Sequence, residues 1–141
     1  MKLVNSFFYK DSGISICEVK YKGELYDGKA RLHPEDADLA SKYTGCRYAE
    51  LRAEIKALKA EYKEEKAACE ECRKFVKACT QYKNFDNESP TAKAMFRQLN
   101  RRIKRVNDLA DKINQKMMDL DMAIKQKDIV HKALERKSKT K

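Results

Sequence analysis

Twice along this 141-residue chain, apolar and small residues recur in alternating steps of four and three. The first series is Leu51, Ile55, Leu58, Tyr62, Glu65, Cys69, Cys72, Val76 and Cys79, with Glu65 as its one polar fault. The second is Leu99, Ile103, Val106, Ala110, Ile113, Met117, Leu120 and Ile124. A four-three repeat puts every member on one narrow stripe of a helix, so each series is the seam of a long helix that packs lengthwise on another. The spacing predicts helices over residues 46–82 and 90–137, roughly 54 and 70 Å long at about 1.5 Å per residue. Only residues 83–89 separate them, and so short a connection turns the second helix back antiparallel to the first. Ser89 suits the N-cap of that second helix and Pro90 its first turn, where a missing N–H costs nothing.

Upstream of the seams the period changes from helical to alternating. Residues 1–32 read as a small antiparallel meander of three strands, 3–9, 14–21 and 24–32, turned at Asp11-Ser12-Gly13 and at Lys22-Gly23. The second strand sets Ser15, Cys17, Val19 and Tyr21 on one face; the third sets Tyr26, Gly28, Ala30 and Leu32 on one face. Strands this short need a partner layer, either a helix or a second copy of the sheet. His33-Pro34-Glu35-Asp36 marks a helix start, with proline and two carboxylates in the first turn, and Thr44-Gly45 reads as a break. Residues 33–45 are therefore expected as a short helix and its break. Residues 138–141 form a basic tail. The fold class is α+β: a β-meander, a short helix and a long two-helix hairpin, all within one domain.

A hairpin of this kind buries one stripe per helix and encloses little core, so self-association into a dimer or a higher oligomer is expected. Lys and Arg number 32 against 22 acidic residues, a formal charge of +10, which attracts anions without saying which. No apolar run approaches the ~20 residues of a membrane span, and no signal peptide follows Met1, so a cytoplasmic protein is expected. In that compartment the five cysteines are expected as thiols. Cys69 and Cys72 with Cys79 lack a second ligand pair, the only histidines being His33 and His131, and all three fall on the seam. They read as packing residues, and neither metal nor cofactor is expected. No catalytic motif is recognisable, and four glycines leave no phosphate-cradling loop, so the chain reads as a binder rather than an enzyme.

The residues that point to a ligand are basic. Residues 97–105 carry Arg97, Arg101, Arg102, Lys104 and Arg105 and no acidic side chain, whereas the rest of the chain interleaves signs, as in Lys63-Glu64-Glu65-Lys66. Arginine outnumbers lysine four to one in this run, and its planar fork grips phosphate in a bidentate way. The heptad count puts Arg102 on the flank of the seam and Arg101 with Arg105, four apart, on the outer face, with Arg97 one turn earlier in the same row. A solvated basic face is the plain alternative. If Cys79 lies opposite about Met95, Phe75 falls level with residues 99–102, and Phe85 with Asn87 lies in the loop just beyond. Arginines beside a ring and an amide suit a nucleotide, whose base stacks on the ring while its edge is read by the amide. Phe75 and Phe85 have a plainer reading as plugs at the end of the hairpin.

A small N-terminal sheet, then His33-Pro34-Glu35-Asp36, Gly45, and Ala49-Glu50-Leu51-Arg52-Ala53-Glu54-Ile55-Lys56 opening a long helix that doubles back, resembles a family of small phage proteins. That family is the first type of Thoeris anti-defence protein. The resemblance spans residues 1 to about 130. It implies a non-catalytic sponge that sequesters a signalling cyclic nucleotide of the glycocyclic ADP-ribose type, and in some members cyclic oligonucleotides, in the cytoplasm of an infected bacterium. It also implies hexamers with pockets between protomers. On that resemblance the ligand-binding residues would be Arg52, Arg101 and Arg105, a stacking ring from Phe75 or Phe85, and an amide from Asn84 or Asn87. Within one hairpin Arg52 stands level with about residue 122, some 30 Å from Arg101 at about 1.5 Å per residue, so both reach one ligand only if Arg52 comes from another subunit. The rival expectation is a nucleic-acid-binding helical protein that uses the arginine face together with residues 125–141, where seven basic residues meet two acidic ones.

Overall fold

A computed structural model describes the backbone of residues 1–9, 12–31 and 42–139, and the side chains of residues 1–9, 12–31 and 45–126. Its elements are β1 (Lys2–Tyr9), β2 (Ile14–Tyr21), β3 (Glu24–Arg31), α1 (Lys42–Thr80) and α2 (Pro90–Lys139), an α+β fold. The strands form one antiparallel sheet in the order β1-β2-β3. Lys22 and Gly23, at φ 50° and 82°, make the two-residue turn between β2 and β3, a left-handed pair whose twist matches that of the strands. Chain contacts divide the protein into two compact units, residues Met1–Ala57 with Asn114–Lys141, and residues Leu58–Ile113.

The first unit is built on the inner face of the sheet. Ser15, Cys17, Val19 and Ala30 are buried there, and Cys17 and Ala30 cluster with Tyr48 and Ala49 of α1, bordered by Leu120, Ala123 and Ile124 of α2. The alternation expected in the second strand, and the shared face of Tyr26, Gly28 and Ala30, are both present. Ala49, Ala53 and Ala57, spaced four apart and fully buried, give α1 a flat side that lets its backbone approach the sheet. Tyr48 donates its hydroxyl hydrogen to the Ala123 carbonyl at 2.9 Å, and the buried Glu54 carboxylate pairs with Lys116 at 2.6 Å. At the outer strand, Arg52 donates to the Lys29 carbonyl at 2.7 Å and Lys56 to the Asp27 carboxylate at 3.0 Å. The Lys56 contact holds the Asp27 carboxyl below its usual range.

Two expectations need correction. The break at Thr44-Gly45 is absent: α1 is already helical at Lys42 and runs straight through the buried Gly45. A glycine inside a helix costs only about 1 kcal/mol, and the packing of Tyr48 and Ala49 on the sheet offsets it. In the second seam Ile113 is buried as counted, but Leu109, beside the counted Ala110, is buried too, and the counted Met117 is 45% exposed, so burial departs from the stripe at these two positions. Leu109 lies four residues before Ile113, one turn away on the same face, which widens the buried stripe there. The helix start expected at residues 33–36, Leu32, His131 and the end of the tail lie outside the described residues or side chains.

The second unit is the closed end of the hairpin. Leu58, Cys69 and Val76 of α1 and Ala92, Leu109 and Ile113 of α2 are its buried hydrophobic residues. Ser89 caps α2 as expected: its Oγ accepts from the Ala92 N–H at 3.1 Å, and its carbonyl accepts from the Lys93 N–H at 3.0 Å. Asp86 Oδ1 accepts from the Glu88 N–H at 2.9 Å, which fixes the loop as an Asx turn. Phe85 meets Phe96 edge to face, with ring centroids 6.4 Å apart and planes at 89°.

Candidate functional site

Two concavities adjoin in the second unit. One is a cleft of about 750 Å³ at the loop, walled by Phe75, Tyr82, Phe85 and Met95 and edged by Asn84, Asp86 and Ser89. The other is a groove of about 400 Å³ along α2, lined by Arg97, Arg101, Arg102 and Arg105 with Ala94 and Gln98. Ala94 and Gln98 line both, so the aromatic cleft opens onto the arginine groove across one turn of helix. Both volumes fall in the range of small-ligand sites, ~300–1,000 Å³.

The local sequence explains the placement. Arg97, Arg101 and Arg105 repeat every fourth residue, so their side chains stack in one row with a rise of about 6 Å per step. Arg97 donates Nε–H to the Lys93 carbonyl at 3.3 Å, and Arg102, nearer the seam, is half-buried. Among the described residues, no carboxylate lies within ion-pair distance of any of these four arginines. Their repulsion is therefore not balanced within the unit, and an anion entering the groove meets several donors at once.

The expected site residues divide by position. Phe75, Asn84 and Phe85 line the cleft, and Arg101 and Arg105 line the groove. Asn87 is exposed in the loop and does not line the cleft. Arg52 belongs to the first unit, where its guanidinium holds the Lys29 carbonyl. The two candidate rings differ in character. Phe85 is half-buried against Phe96, which makes it a fixed wall, while Phe75 is 61% exposed at the cleft and offers a face for stacking. Gln98 was not singled out from sequence, yet it is the amide that touches both concavities; its place one turn before Arg101 and Arg102 on the same face was the available signal. Cys69, Cys72 and Cys79 are free thiols, and among the described residues no three His, Cys, Asp or Glu side chains gather as metal ligands. No described helix is long and apolar enough to cross a membrane.

No protein-family model, curated protein or solved structure matches this chain.

Proposed function

We propose that this protein is a sponge that binds a small anionic nucleotide and holds it without cleaving it. The observation that carries this reading is the continuity, through Ala94 and Gln98, of an aromatic cleft with a row of arginines that have no acidic partner among the described residues. In this reading the base stacks on Phe75 against the wall made by Phe85, Asn84 and Gln98 meet its polar edge, and the phosphates lie on Arg101 and Arg105. The resemblance to the first type of Thoeris anti-defence protein supports a signalling cyclic nucleotide of the glycocyclic ADP-ribose type as that ligand, taken up in the cytoplasm of an infected cell. Sequestration needs affinity and copy number rather than chemistry, and a cleft with several preset donors supplies affinity at low ordering cost.

Calorimetry with a panel of cyclic nucleotides and ADP-ribose derivatives tests this. The expected result is a tight 1:1 complex per site that the paired Arg101→Ala and Arg105→Ala changes abolish while circular dichroism stays unchanged. Absence of heat across the panel overturns the sponge. Binding to duplex DNA or RNA that weakens steeply with salt would favour the nucleic-acid reading instead, because a small ligand releases few counterions.

A further inference from the structure

We propose that Cys46 of α1 is a peroxide-reactive thiol and that Cys17 of β2 resolves its oxidised form into a disulfide. Three elements meet at these sulfurs. Ser6 of β1 pairs with Cys17 across the β1–β2 ladder, and its Oγ lies 3.6 Å from Cys17 Sγ. The same hydroxyl donates to Cys46 Sγ at 3.2 Å, so one oxygen touches both sulfurs. Cys17 Sγ in turn donates to the main-chain carbonyl of Cys46 at 3.2 Å. A sulfur that already touches the other cysteine's main chain is one side-chain rotation from its sulfur. The remaining cysteines, Cys69, Cys72 and Cys79, all lie along α1 in the second unit.

Exposure assigns the two roles. Cys46 is half-buried beside the exposed Ser6, whereas Cys17 is fully buried, so a small oxidant arriving from solvent meets Cys46 first. Burial also holds the Cys17 thiol in its neutral form, the less nucleophilic one. The oxidant is hydrogen peroxide. The Cys46 sulfur gives an electron pair to one peroxide oxygen, the O–O bond breaks, and the other oxygen leaves as water with the thiol proton; Cys46 is then a sulfenic acid. The Cys17 sulfur next attacks the Cys46 sulfur, the S–O bond breaks, and a second water carries off the Cys17 proton. Two thiols have lost two electrons in all, and one peroxide has gained them. The product closes a loop across 29 positions and ties β2 to the opening of α1, a cross-link that disfavours the unfolded chain. The site lies wholly within the first unit, independent of what the second unit binds.

The test treats the reduced full-length chain with hydrogen peroxide, alkylates it in denaturant, and maps its peptides by mass spectrometry. The expected product is a cross-linked peptide pair joining Cys17 to Cys46, released by dithiothreitol, with a raised thermal midpoint in the oxidised chain. Cys46→Ser is expected to leave Cys17 free to alkylate after the same treatment. Cys17→Ala, which removes the resolving thiol, is expected to hold Cys46 as a sulfenic acid, trapped as its dimedone adduct. A wild type in which Cys17 and Cys46 both alkylate, a cross-link between other cysteines in their place, a Cys46→Ser chain that still consumes Cys17, or a folded Cys17→Ala chain without the adduct each overturn the proposal. The wild-type map decides the matter even where a variant fails to fold.

Discussion

Gly28 of β3 lies directly beneath the backbone of Ala49: a Cβ added to Gly28 would strike the Ala49 carbonyl and come within 2.5 Å of the Ala53 nitrogen. Both obstacles are main-chain atoms of a regular helix, so neither yields without moving α1 off the sheet. Gly28→Ala is therefore expected to destabilise the first unit by roughly 2–3 kcal/mol, at the upper end of overpacking costs. Urea denaturation measures it; a change below about 0.5 kcal/mol would show that helix and sheet are farther apart than this.

Glu54 and Lys116 make a different kind of contact, an ion pair whose glutamate is 8% exposed while its lysine is half-buried. Removing the lysine leaves the carboxylate desolvated and unpaired, so Lys116→Met is expected to cost about 1–3 kcal/mol. Adding Glu54→Gln to that variant removes the stranded charge and is expected to restore much of the loss. A double-mutant cycle by chemical denaturation checks this, and additive single effects would mean that the pair contributes nothing.

These two contacts also mark how much the sequence disclosed. The strands and both long helices were legible because alternation and the four-three repeat are local signals, and the Ser89-Pro90 start was legible because caps are made by neighbouring residues. Glu54–Lys116 and Gly28–Ala49 join residues far apart in the chain, and no periodicity encodes which turn of a helix meets which strand residue. Gly45 misled for the same reason, since its local preference for a break is outweighed by packing supplied from the sheet. At the candidate site, the arginine row was readable from spacing and missing acidic partners. The bridging place of Gln98 and the contrast between Phe75 and Phe85 depend on how the loop folds back.

Cys17 gives the first unit an alkaline limit. Burial pushes its thiol up; the Ser6 hydroxyl pulls the other way, and Cys46 and Glu50 of α1 push it further up. Because the folded value lies above the unfolded one, the fold favours the neutral thiol. That contribution is complete below the unfolded value, about 8.5, and is lost as pH rises from there through the folded value. Cys17→Ala cannot lose it. The stability gap between wild type and Cys17→Ala is thus expected to narrow between about pH 7 and pH 10, measured as urea midpoints; a constant gap would mean the thiol ionises as easily in the fold as outside it.

Phe75 and Phe85 separate ligand binding from folding. Phe75 is largely exposed, so Phe75→Ala is expected to change stability little, yet to weaken nucleotide binding by about 1–3 kcal/mol, the usual worth of a base on an aromatic platform. Phe85 packs edge to face on Phe96, so Phe85→Ala is expected to lower stability by at least about 1 kcal/mol as well as to loosen the cleft. Phe75→Leu sharpens the distinction, because it keeps apolar bulk but loses the π-face, and binding is expected to fall nearly as far as with alanine. Calorimetry and thermal denaturation on the three variants read both quantities. If Phe75→Ala instead unfolds the unit and leaves nucleotide affinity unchanged, Phe75 is a plug of the hairpin's end rather than a platform for a base.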